Sequence, residues 1–218
     1  MEANKNKSKR IQSSSEERAN AATHAIGILF IVFTLPFLWN KTLDHSGKYT
    51  LFAISIYIVG MLSVYISSTL YHFFTNPTLK SRAHIADHIS IFLLIGGTYT
   101  PVVYLFTPLK TSLLFLGIMW GIIAVGIILK VFFTGRFKWL STSIYVALGW
   151  MLVFLFNPLK ENMNLYVFLP ILWGGLAYTI GVLFYIQNKL KYSHAIWHIF
   201  VLAGTVFHWF AVYRALDF

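Results

Sequence analysis

Residues 193–213 read SHAIWHIFVLAGTVFHWFAVY, a run that contains three histidines but no Asp, Glu, Lys or Arg. At 1.5 Å per residue a helix of this length is about as long as the roughly 30 Å hydrocarbon core of a bilayer is thick. Apolar residues do not alternate with polar ones along it, which excludes a half-buried strand. The stretch therefore predicts a transmembrane helix with imidazoles inside it. Outward from it, comparable runs occupy about 22–39, 50–73, 85–106, 111–133, 139–156 and 165–187. With 193–213 they make seven spans, an all-α integral membrane bundle.

Composition agrees. The chain of 218 residues is 57% hydrophobic and 11% charged, well below the roughly one-quarter charged residues of soluble domains. Its net charge of +10 arises from 17 Lys and Arg against 7 Asp and Glu. In a membrane protein that excess marks cytoplasmic loops, so no nucleic-acid partner is expected. There is no cysteine, which excludes disulfides and thiolate ligands. Nothing in the spacing sets an oligomeric state.

Residues 1–16, MEANKNKSKRIQSSSE, are polar, basic and serine-rich, and are expected to form a disordered tail ahead of a membrane domain over 17–218. No small-x-small cleavage pattern follows the first apolar run, so it reads as a retained helix. Seven spans put the chain ends on opposite sides. With the N-terminus cytoplasmic, Lys5, Lys7, Lys9, Arg10, Arg18, Lys80, Arg82, Lys130, Arg136, Lys138, Lys189 and Lys191 fall inside, whereas Lys41, Lys48, Lys110, Lys160 and Arg214 fall outside. That bias predicts N-in and C-out in a plasma (inner) membrane. Short connections predict antiparallel neighbours, with Pro36, Pro101 and Pro170 able to kink spans 1, 3 and 6 in their outer halves.

Ionisable groups inside spans are costly and mark sites by default. The topology brings the end of span 2, the start of span 3 and the start of span 7 to one side, and polar residues gather there. His194 and His198 are four apart, on one helical face. His72, from another helix, supplies a third imidazole at similar depth, giving three neutral ligands and an open position for water, as in catalytic zinc sites. Ser68, one turn from His72, and Asp87, at the start of the next span, can hold that water or orient a ligand. Glu17, Asn20 and His24 form one further face at the same entrance and are expected to support the site. Plainer alternatives exist: Asp87 as a helix cap, Ser68 bonded back to its own helix, Glu17 and Asn20 as a solvated face. His84 and His88 are expected in or beside a wetted loop. His208, about 15 Å beyond His198 along the axis, is too far to share its metal and suits a hydrogen bond within the bundle.

These residues together, E-x-x-N-x-x-T-H at 17–24, S-x-x-x-H at 68–72, Asp87, GGTYTP at 96–101 and HAIWH at 194–198 followed by His208, resemble the hemolysin III family. That family is the bacterial branch of the progestin and adipoQ receptor family, which includes the adiponectin receptors. The resemblance implies a seven-helix bundle with zinc on the cytoplasmic side, held by His72, His194 and His198, with a water contacted by Asp87. It implies two kinds of activity. Eukaryotic relatives look like receptors with ceramidase-type amide hydrolysis, which for this chain means a zinc-dependent hydrolase of lipid amides with Asp87 as general base and membrane lipids as substrates. The family name records hemolysis, attributed to a pore. A pore-forming cytolysin should be soluble before insertion, whereas this chain is apolar throughout. A lipid-state sensor with structural zinc is the remaining alternative.

Overall fold

The computed structural model describes Arg10 and residues 12–134, 138–187 and 189–218. Among them every regular element is helical: α1 (Ser14–Asp44), α2 (Thr50–Phe73), α3 (Pro77–Phe106), α4 (Leu109–Phe133), α5 (Lys138–Gly149), α6 (Phe156–Asn162), α7 (Leu165–Tyr185) and α8 (Ser193–Ala215), with a short 3₁₀ stretch at Met151–Leu155. Seven spans are long and apolar enough to cross a membrane, α5 to α6 counting as one from Trp139 to Asn162. The outer surface is apolar: Phe33, Phe132 and Phe154 are 74%, 73% and 82% exposed. A soluble domain could not carry such a surface, and lipid is the solvent that suits it.

Helix α1 starts earlier than the composition suggested. Ser13 caps it by accepting the Glu16 N–H, and the Glu16 carboxylate accepts the Ser13 N–H in return. This reciprocal capping box satisfies two otherwise orphaned donors. Residues 14–16 of the expected tail are thus helical, whereas residues 1–9 and 11 lie outside the described ones. Along α1 the buried positions are Glu16, Asn20, His24, Gly27, Ile31, Thr34, Leu38 and Thr42, a stripe at spacings of three and four that faces the bundle. Its first turns are polar and its later ones mostly apolar.

Helix α3 also starts earlier, at Pro77, because Asn76 accepts the Thr78 and Leu79 N–H groups and proline is pre-set for the first helical position. His84, Asp87 and His88 therefore stand on a helix and not in a wetted loop, and Asp87 lies too far in to cap it. Helices α2 and α3 pack with their backbones nearly touching. A Cβ on Gly60 would lie 2.5 Å from the Leu93 carbonyl oxygen, and one on Gly97 3.0 Å from that of Ile56. Only glycine permits this approach.

The fifth span is broken where a continuous helix was expected over 139–156. The Tyr99 hydroxyl of α3 donates to the Gly149 carbonyl at 2.7 Å and accepts the Leu152 N–H at 3.1 Å. A side chain inserted into the helical ladder is one of the few causes of a sharp break, and it satisfies the groups it frees. Pro36, Pro101 and Pro170 lie inside α1, α3 and α7, which run on through them.

Candidate metal centre

The stripe on α1, the last turns of α2, the first half of α3 and the first turns of α8 meet at one end of the bundle around a cavity of about 420 Å³. Glu17, His24, Ser68, His72, Asp87, His194 and His198 all line it. His72, His194 and His198 each offer a ring nitrogen, and these nitrogens lie within 4.8 Å of one another. Their ring centroids are 4.5 to 5.2 Å apart. Among the described residues this is the group of His, Asp or Glu side chains placed to share an ion, and Asp87, Glu17 and His24 are outside it.

Two of the three rings are oriented by α1. His72 Nδ1 is 2.7 Å from Glu17 Oε2, and since a carboxylate only accepts, the ring donates from Nδ1 and leaves Nε2 as an acceptor. His198 Nδ1 is 3.1 Å from the Asn20 carbonyl oxygen and 3.1 Å from Thr23 Oγ1, which sets its tautomer the same way. A metal-binding imidazole tied through its other nitrogen to a carboxylate or carbonyl is the usual means of fixing ring orientation. Glu17 is steadied in turn by Lys80 at 3.2 Å. The Asn20 amide donates to Gln12 Oε1 at 2.7 Å.

Several buried atoms here have no partner among the described residues: His72 Nε2, Ser68 Oγ and both ring nitrogens of His24. Native interiors leave few polar atoms unpaired, so a cluster of them on one cavity wall marks a place for an ion, water or ligand. The residues present therefore fit a metal: neutral nitrogen donors, tautomers that free Nε2 of His72 and His198, and buried acceptors that need a partner. His24 takes no ligand position; its ring stacks on that of His198 with centroids 3.6 Å apart. The Ser68 hydroxyl is not bonded back to its helix. Asp87 has a side chain 13% exposed and lies 3.7 Å from His88 Nδ1. His84 and His88 form a ring pair at 4.4 Å on the same cavity wall. His208 bonds the Ile171 carbonyl through Nε2 at 3.1 Å, the hydrogen bond within the bundle that its distance from His198 suggested.

Residues 12–209 match the protein family described as Haemolysin-III related. The chain belongs to that family. It is 40% identical over 199 residues to the hemolysin-3 homolog of Bacillus subtilis (strain 168), covering 90% of this chain and 92% of that one. It is 39% identical to hemolysin-3 of Bacillus cereus, covering 90% of each. A more distant match, 25% over 209 residues, reaches the human monocyte to macrophage differentiation factor, covering 92% of this chain and 84% of that one. Family and fold together make this haemolysin-III related chain a multi-pass integral membrane protein with a buried histidine group able to hold a metal ion.

Sequence reasoning missed Glu16, placed in the tail. Its carboxylate is held by Arg10 at 2.5 and 3.0 Å and accepts the Tyr192 N–H at 2.9 Å. Tyr192 has φ of +60°, a conformation costly for a residue with a Cβ and held here by that bond. The clasp ties the start of α1 to the residue before α8, and so sets where His194 begins. The signal was present as Ser13-x-x-Glu16, a capping box. Lys130, which the charge count places among the cytoplasmic-side cations, is only 5% exposed on α4 and lines the cavity.

Proposed function

We propose that this protein is a zinc-dependent hydrolase of lipid amides, with the site at the cytoplasmic end of an N-in, C-out bundle in the bacterial plasma membrane. The observation that carries the reading is a three-histidine group on the wall of a cavity that also holds Asp87 and the Ser68 hydroxyl, which has no partner among the described residues. A structural zinc is usually closed by a fourth protein ligand, whereas a catalytic one keeps a position open. With no thiolate in the chain, three imidazoles favour a borderline ion such as zinc. The orientation is supported by the Lys and Arg bias, since the segments rich in those cations lie at the histidine end under that topology.

When bound, zinc supplies Lewis acidity that polarises an amide carbonyl and brings the pKa of a water to about 7. His72, His194 and His198 hold it, and Glu17 and the Asn20 carbonyl keep two of those rings in the donating tautomer. The Asp87 carboxylate takes the proton of the attacking water and passes it to the nitrogen of the leaving amine, so that the C–N bond breaks and a carboxylic acid and an amine result. Ser68 Oγ donates to the carbonyl oxygen or the water. Apolar wall residues such as Val64, Ile91, Leu94 and Val201 accept the acyl chain.

The test is incubation of purified, metal-loaded protein with ceramides, other acyl amides and phospholipids, with product detection by mass spectrometry. Release of fatty acid that is lost on chelation and restored by zinc supports the hydrolase. No turnover of any of these lipids by metal-replete protein would favour a non-enzymatic lipid sensor with a structural metal.

A further inference from the structure

Lys130 brings a cation into the same cavity. A lysine near the end of a membrane helix ordinarily extends to the headgroup region. This one, in the last turn of α4, is buried at 5% exposure and lines the cavity beside Ser141 and Tyr145. Its Nζ lies 5.7 Å from the centre of the Tyr145 ring. Among the described residues no carboxylate is within 4.0 Å of it. Arg10, the other Lys or Arg on the cavity wall, is held by Glu16, nearby Lys80 by Glu17, and Asp87 has His88 beside it. The Tyr145 ring and the carbonyl end of α4 offer partial negative charge only. A buried cation facing a cavity, with no carboxylate among the described residues in contact with it, calls for an anionic group from the ligand.

We propose that Lys130 is the head-group site of the cavity and selects acyl lipids that carry an anionic group, a carboxylate or a phosphate, beside the acyl linkage. The ammonium binds that group while the chain lies against Ile91, Leu94 and Ile95. Resting on the hydrolase reading, this narrows the substrate to acidic acyl amides such as N-acyl amino acids. Binding is nevertheless measurable without turnover.

The experiment measures binding of N-palmitoylglycine, its methyl ester and hexadecyl phosphate to the full-length protein in uncharged detergent micelles. The acid and the phosphate should each bind about tenfold or more tightly than the ester, as one charge-assisted contact provides, and the better of the two identifies the head group. Lys130→Gln should abolish that advantage while keeping the ester affinity and the bound metal, and Lys130→Arg should preserve it. Equal affinity of wild-type protein for acid and ester, or an advantage intact in Lys130→Gln, overturns the proposal and makes Lys130 a hydrated helix-end cation. If Lys130→Gln does not fold, Lys130→Met replaces it in the same comparison, and an advantage that survives there overturns the proposal. Charge preference without hydrolysis sinks the hydrolase reading alone; hydrolysis without charge preference sinks this one alone.

Discussion

The two ends of the bundle differ in how their buried hydroxyls, carboxylates and imidazoles are held. Away from the site, hydroxyls bond within their own helices: Thr34 to Phe30, Thr42 to Leu38, Thr100 to Gly96 and Thr107 to Val103. At the histidine end Thr23 and Ser90 also bond back, but Glu17 reaches across to His72 and the Asn20 carbonyl to His198, and Ser68 Oγ and His72 Nε2 find no partner among the described residues. Between the two lies a short bridge in which Tyr65 and Tyr178 both meet Thr205. A hydroxyl bonded back to its helix is the least costly way to carry a polar atom through lipid. Groups that forgo that arrangement and stay unpaired are arranged for something else.

Substitutions at each end sharpen the contrast. The largest effect is expected at Asp87, where Asn should keep the fold and most of the metal yet lower lipid-amide turnover by about 10²–10⁴-fold, as for loss of a positioned acid or base. Turnover measured beside metal content checks this, and loss of both would make Asp87 structural. Next is Glu17→Gln, which removes the charge that orients His72 and should weaken metal affinity by about 10–100-fold, read by competition with a chelator. Ser68→Ala removes an unpaired hydroxyl and should cost about tenfold in turnover with metal affinity unchanged. Smallest is Thr42→Val at the opposite end, which loses a bond to its own helix and should shift stability by less than about 1.5 kcal/mol, with neither metal nor turnover altered.

Much of this was legible in the sequence, and for a physical reason. Hydrocarbon thickness sets the length of each apolar run, so the seven spans stand out, and the four spans between the end of the second and the start of the seventh carry His72 to the same end as His194 and His198. Features that depend on helix rotation or on distant partners were not legible. Lys130 sits in a run apolar on every face, which says nothing of the side that turns inward. The break after Gly149 is set by Tyr99, fifty residues away in sequence. Glu16 looked like part of a polar tail because its partners are Arg10 and a backbone N–H from the far end of the chain.

The claim on which the rest depends is that His72, His194 and His198 hold a metal together. Elemental analysis of purified wild-type, His194→Ala and His208→Ala proteins tests it directly. About one zinc per chain is expected in the wild type, a sharp loss in His194→Ala and near-full retention in His208→Ala. Full zinc occupancy in His194→Ala would contradict the account.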